Sequence, residues 1–192
     1  MKIDNDKRIF VTSDTHFCHD KEFIWKARGF ESIDEMNEKI IENWNAVVGK
    51  DDIVIHLGDA MLGNIEKGIE CMKRLNGKIL FAFGNHDTDN RIAEYAKLSN
   101  VELIGYSNIL KYKKISFYLS HYPTMTSNME DNPSLKAHVT NLYGHTHQVT
   151  NFYNEIPFMY HVGMDSHNCT PVLLEDIINE ITEKIKECEE QL

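Results

Sequence analysis

Five short β-branched and aromatic runs in this chain are each followed at once by Asp, Asn or His. Arg8–Ser13 leads into Asp14-Thr15-His16, Ile53–Leu57 into Gly58-Asp59, and Lys78–Phe83 into Gly84-Asn85-His86-Asp87. Ile115–Leu119 leads into Ser120-His121, and Val139–Tyr143 into Gly144-His145-Thr146-His147. Such runs read as buried strands. Helical periods separate the first three. Ser32 and Glu35 form a capping box before Ile33, Met36, Ile40, Ile41, Trp44, Val47 and Val48, and a second helix runs from Asn64 to Leu75 before Asn76-Gly77. A β-α-β-α-β opening predicts parallel strands with right-handed crossovers. The carboxyl ends of such strands open onto one crevice, so the five sets of side chains converge there.

A further helix is predicted around Asn90 to Leu98. Short β-rich runs then follow at Val101–Ile104, Ile109–Tyr112, Ile115–Leu119, Val139–Tyr143, Asn151–Tyr153 and Phe158–Val162. Their spacing predicts a mixed or second sheet. A last helix, Leu174 to Glu190, carries Ile177, Ile178, Ile181 and Ile185 on one face. No linker, repeat or low-complexity tract interrupts the pattern, so residues 1–192 read as one domain.

Composition narrows the chemistry. With 20 Lys+Arg against 30 Asp+Glu the formal net charge is −10, which argues against a general nucleic-acid binder needing a basic stripe. Apolar runs such as Ile79–Phe83 are far too short to span a bilayer. Cys18, Cys71, Cys169 and Cys188 form no Cys-x-x-Cys pair, the pattern of reduced thiols in a cytoplasmic protein. No basic, then apolar, segment opens the chain as a secretory signal. Mixed carboxylate, carboxamide and imidazole donors suit Mn, Fe, Zn, Ni or Co, with Mn favoured, and exclude a thiolate zinc site. Gly-His-Thr-His is the strongest single motif, because in extended backbone its two imidazoles project to one side.

In this order, the five motifs resemble the calcineurin-like metallophosphoesterase superfamily, whose pattern runs D-x-H, G-D, G-N-H-[D/E], H and G-H-x-H. The surroundings, Ser13-Asp14-Thr15-His16-Phe17, Asn43-Trp44-Asn45 and His56-Leu57-Gly58-Asp59, are similar to a group of small bacterial and phage phosphoesterases. The resemblance implies a two-sheet α/β sandwich of mixed sheets with flanking helices. It implies that Asp14, His16 and His147 ligate one divalent metal, that Asn85, His121 and His145 ligate a second, and that Asp59 bridges both. It makes His86 the group near the leaving oxygen, as general acid or electrostatic stabiliser. Asp87 is expected to fix its tautomer. Two ions about 3.5–4 Å apart can share a hydroxide and hold phosphate oxygens during in-line displacement.

Other residues carry weaker signals. His19 either reaches the substrate or lies solvated, and Asp165 or His167 is a candidate to orient ligands from behind. Cys18 reads as a bystander without a second thiol nearby in sequence. His56, His138 and His161 read as packed residues. The loops Cys18–Phe30 and Pro123–Lys136 are the candidates for substrate choice. The expected activity is hydrolysis of a phosphodiester or phosphomonoester, on a small nucleotide or other small phosphate ester. The alternatives are a binding scaffold that keeps the fold with weak catalysis, and a nuclease.

Overall fold

The computed structural model describes residues 1, 3–4, 6–126 and 134–190. Its strands and helices follow the alternation of the sequence: β1 (Ile9–Thr12), α1 (Glu22–Trp25), α2 (Ile33–Val47), β2 (Ile53–His56), α3 (Ile65–Lys73), β3 (Lys78–Ala82) and α4 (Asp89–Tyr95). Then come β4 (Val101–Gly105), β5 (Ser107–Tyr112), β6 (Ile115–Ser120), β7 (Val139–Tyr143), β8 (Met159–His161), β9 (Val172–Leu173) and α5 (Leu174–Glu190). α2 starts where Ser32 Oγ accepts the Glu35 N–H at 3.1 Å, and Glu35 reaches back to the Glu31 N–H at 2.7 Å. Asn64 caps α3 in the same way through the Lys67 N–H at 2.9 Å.

Two sheets result. One has the order β4-β3-β2-β1-β9, and the other β5-β6-β7-β8. In the first, β1 to β4 are parallel and β9 runs antiparallel to β1. In the second, β5 is antiparallel to β6, while β6, β7 and β8 are parallel. The β5–β6 hairpin turns at Lys113 and Lys114 with φ of 47° and 70°, the left-handed pair that suits the twist of a tight hairpin.

The first sheet is buried on both faces, as its uninterrupted apolar strands require. Phe10, Val54, Ile79 and Phe81 face a core shared with Met36, Ile40, Ile41, Trp44 and Met72 of the crossover helices. Their neighbours Ile9, Val11, Ile53, Ile55, Leu80 and Ala82 face a second core, shared with Phe117, Leu119, Leu142 and Tyr160 of the other sheet and with Ile177 and Ile181 of α5. Alternation along each strand thus divides its side chains between two cores. Trp44 is fully buried and its indole N–H donates to the Asn76 carbonyl at 3.0 Å. Trp44→Ala will lower the unfolding free energy by about 3–5 kcal/mol, read from the urea midpoint, through the cavity and the orphaned carbonyl.

Three elements differ from expectation. Asn151–Tyr153 forms no strand: Phe152 makes one isolated bridge to Tyr160, and a 3₁₀ turn follows at Tyr153–Glu155 with Asn154 at φ 46°. α1 and β9 were not anticipated. No helix among the described residues is long and apolar enough to cross a membrane.

Candidate metal centre

The five candidate ligand turns lie at the carboxyl ends of β1, β2, β3, β6 and β7; backbone bonds join the β1 turn to the β2 turn and the β6 turn to the β7 turn. The Asp14 and His16 N–H groups donate to the Gly58 and Asp59 carbonyls at 3.0 and 3.1 Å, and the Gly144 N–H donates to the His121 carbonyl at 3.0 Å. Asp14, His16, Asp59, His145 and His147 all adopt left-handed backbone, with φ of 58°, 48°, 59°, 67° and 49°. These are strained conformations for residues with a Cβ, and five of them meet at this one site. The extended backbone expected for Gly144–His147 is therefore not what the chain adopts. Glycine is needed at two positions because a carboxylate comes so near. A Cβ on Gly84 would stand 2.2 Å from Asp59 Oδ1, and one on Gly144 2.2 Å from Asp14 Oδ2. Gly144→Ala will displace the Asp14 carboxylate and lower bound metal per chain, measured by elemental analysis, with circular dichroism unchanged.

Two overlapping groups of donor atoms form, Asp14 with His16 and His147, and Asp14 with Asp59 and His121. His16 Nε2 stands 3.6 Å from Asp14 Oδ1, 3.2 Å from His147 Nε2 and 4.0 Å from Asp59 Oδ2. His121 Nε2 stands 3.3 Å from Asp59 Oδ2 and 2.9 Å from Asn85 Oδ1. The other ring nitrogens of His121 and His147 are already engaged, whereas His16 Nδ1 is buried without a hydrogen-bond partner. His121 Nδ1 donates to the Leu57 carbonyl at 2.8 Å, and His147 Nδ1 to Asp165 Oδ2 at 2.9 Å. The Nε2 atoms of His121 and His147 then offer lone pairs inward, towards carboxylate and carboxamide oxygens that also carry only lone pairs. Asp14 Oδ1 is buried with no hydrogen-bond partner. A buried cluster of facing acceptors requires cations, so these residues fit the divalent metals that the donor types suggested.

Charge follows the same logic. Burial alone would raise the Asp14 carboxyl, but the His16 bond and the His16, His121 and His147 charges hold it well below the usual range. Asp59 is likewise lowered, burial being outweighed by His121. His16 is lowered by burial.

The remaining expected residues take varied places. His145 brings its backbone N–H to Asp14 Oδ2 at 2.9 Å, while its ring meets those of His121 and Tyr122 at 5.1 and 4.7 Å. His86 donates its backbone N–H to Asp59 Oδ1 at 2.8 Å and holds its Nε2 3.9 Å from Asp59 Oδ2, with its side chain 43% exposed. Asp87 has different contacts from those expected. Its carboxylate accepts the Asp59 and Gly84 N–H groups at 2.7 and 2.8 Å and the Tyr95 hydroxyl at 2.9 Å, which pins two ligand turns together. The sequence pairing of Asp87 with the His86 ring fails because adjacent residues in this turn point to different sides.

Asp165 lies behind His147, as one of the two candidates for that task, whereas His167 Nε2 bonds the His161 carbonyl at 2.8 Å. Sequence reasoning missed Arg28. Its side chain is 2% exposed and forks onto Asp165 at 3.0 and 2.9 Å, and it also donates to the Asp14 and Thr15 carbonyls at 2.7 and 3.2 Å. Nothing in the local sequence marks it. Cys18 does have a second thiol beside it: Cys71 of α3 bonds its sulfur and draws the Cys18 pKa down to about 7. His56 packs on Phe81 with ring centroids 4.9 Å apart, and burial lowers its pKa to about 3. A cavity of about 380 Å³ opens over the centre, lined by His16, Asp59, Asn85, His86, His145 and His147 on one side of its chemistry and by Phe23, Ile24 and Ala27 on the other. Of the candidate loop Pro123–Lys136, positions 127–133 lie outside the described residues.

Comparison with known proteins agrees with this geometry. The family model for the calcineurin-like phosphoesterase superfamily domain matches residues 8–163. An uncharacterized protein of Methanocaldococcus jannaschii, MJ1445, is 33% identical over 188 residues, covering 94% of each chain. The Gene 66 protein of Mycobacterium phage D29 is 25% identical over 201 residues, covering 91% of this chain and 98% of its own. The crystal structure of AQ665 from Aquifex aeolicus, a protein of unknown function, superposes with a TM-score of 0.69 at 21% identity, covering 90% of this chain and 98% of that one.

Proposed function

The chain belongs to the calcineurin-like phosphoesterase superfamily, hydrolases of phosphoric esters that work with metal, and from that premise we propose a dinuclear phosphoesterase acting on a small phosphodiester or nucleotide. The observation that carries the reading is the convergence of Asp14, His16, Asp59, His121 and His147 with Asp14 Oδ1 buried and unpartnered among them, and with His86 beside them in the open cavity. Asp14, His16 and His147 would hold one ion, Asn85, His121 and His145 the other, and Asp59 would join them. Bound divalent ions, manganese first among them, supply an activated water and a clamp on the phosphoryl oxygens. The chain contributes the rest. Asp165 and His121's partner carbonyl fix the tautomers of His147 and His121, so their Nε2 lone pairs face inward. Arg28 holds Asp165 and the Asp14 turn in place. His86 presents a proton or a donor at the mouth of the centre, where a leaving oxygen departs.

A scaffold that had lost catalysis is expected to have lost ligands or His86, and this chain keeps all of them. A nuclease is expected to show a basic track, which a net charge of −10 does not favour. A cytoplasmic setting is supported by four cysteines that are all free. The test is metal content after purification, with hydrolysis of bis-p-nitrophenyl phosphate and p-nitrophenyl phosphate under added manganese. Turnover that rises with bound metal is the expected result. No turnover of either ester with manganese, iron, zinc, nickel or cobalt rejects the enzyme.

A further inference from the structure

The cavity over the metal centre has an apolar wall that phosphate chemistry does not require. Phe23 and Ile24 come from α1, and Ala27 from the turn after it. Ile24 is buried, but Phe23 is 70% exposed at the mouth of a charged cavity. Its ring contacts the edge of His19 at 5.6 Å between centroids, and His19 contacts the ligand His16 in the same manner at 5.4 Å. A second exposed ring stands beside the other ligands. Tyr122 is 50% exposed, with its ring 5.3 Å from His121 and 4.7 Å from His145. Each group of ligands is thus attended by one aromatic ring in water.

Neither ring has a folding task that explains its position, because a side chain so exposed adds little to the core. An exposed ring face beside a phosphate site binds planar groups by stacking, and bases do so whatever their identity. The lysines of the Phe23 segment are already engaged, Lys21 with Asp20 and Lys26 with Glu22. That segment therefore offers a planar, uncharged contact rather than a track for a long polyanion. We propose that the ester cleaved here is a nucleoside phosphodiester, with one base stacked on Phe23 and the planar group across the phosphate stacked on Tyr122. This rests on the reading of the centre as a phosphoesterase.

The test uses the full chain loaded with manganese and titrates AMP and ribose 5-phosphate by calorimetry. Stacking of one base is worth about 5- to 150-fold in affinity, so the wild type should bind AMP tighter than ribose 5-phosphate by a factor in that range. Phe23→Ala should erase the preference, weakening AMP by that factor and ribose 5-phosphate by less than about twofold. Phe23→Trp should keep it. With the dinucleotide ApA and the methyl ester of AMP as substrates, Tyr122→Ala should raise KM for ApA by a factor in that range and KM for the methyl ester by clearly less. An equal rise for both esters would overturn the role of Tyr122. Equal affinity of the wild type for AMP and ribose 5-phosphate would overturn the proposal and leave the phosphoesterase reading intact. Binding of neither compound would overturn both. A Phe23→Ala protein with unchanged AMP affinity but a changed sedimentation coefficient would assign the ring to a contact between copies of the chain, and the proposal would fall.

Discussion

On the proposed two-ion reading, Asp59→Asn is expected to retain less than one metal ion per chain against two expected in the wild type, and to lose about 10³-fold or more in phosphodiester hydrolysis. Its Oδ2 is 3.3 Å from His121 Nε2 and 4.0 Å from His16 Nε2, so this one carboxylate faces histidines of both ligand groups. The amide has the same shape but removes the negative charge that lets two dications sit close, and it turns a donor towards nitrogens that need none. Losing several kcal/mol of charge stabilisation corresponds to that rate factor at about 1.4 kcal/mol per decade. The fold should survive, because the Asp59 N–H still bonds Asp87. Elemental analysis and far-ultraviolet circular dichroism read the two quantities separately. Two ions at full occupancy in the variant would remove Asp59 from the bridging role. Asp14 belongs to both groups of donor atoms, so Asp14→Asn should also affect both ions to some degree.

His86→Ala should keep both ions yet lose about 10²–10⁴-fold on an alkyl or nucleoside ester, the range typical of a positioned acid or base. Its ring is 43% exposed with Nε2 3.9 Å from Asp59 Oδ2, beside the donor groups but outside them. Arg91 donates to the His86 carbonyl at 2.5 Å and, with the His86 N–H bonded to Asp59, sets the backbone on which the ring stands. An alkoxide needs a proton as the P–O bond breaks, whereas p-nitrophenolate leaves as a stable anion. The loss on an aryl ester should therefore be clearly smaller. Equal losses on both esters would make His86 a stabiliser of the phosphoryl oxygens instead, since that contact does not depend on the leaving group. Loss of a metal ion in the variant would place it among the ligands.

What could be read from sequence was local. Strands β1, β2, β3, β6 and β7 are dense in β-branched and aromatic residues, and the turn after each carries its own chemistry, so both the parallel run of the first strands and the meeting of Asp14, His16, Asp59, His121 and His147 followed from patterning. The misses were of two kinds. α1 has four residues and β9 two, too few to show a period. Asn151–Tyr153 looked extended until the left-handed Asn154 and Glu155, at φ 46° and 62°, which no residue preference announced. The second kind is long-range. Arg28 meets Asp165 at 137 positions' separation, so its buried fork is invisible without the fold. Cys71 on α3 reaches Cys18, in the turn before α1, for the same reason. Asp87 was assigned to its sequence neighbour, but backbone N–H groups of Asp59 and Gly84 needed an acceptor more.

The first sheet separates two cores, and β1, β2 and β3 are its middle strands. Elements covered on both faces open only when the whole molecule opens, so their amides should be the slowest to exchange with deuterium. Three of the five ligand-bearing turns grow directly from those strand ends. The centre is consequently anchored to the last part of the chain to come apart. On heating, catalytic half-life and the rate of global unfolding should converge on one activation barrier, with no earlier stage at which the fold persists and the site has frayed.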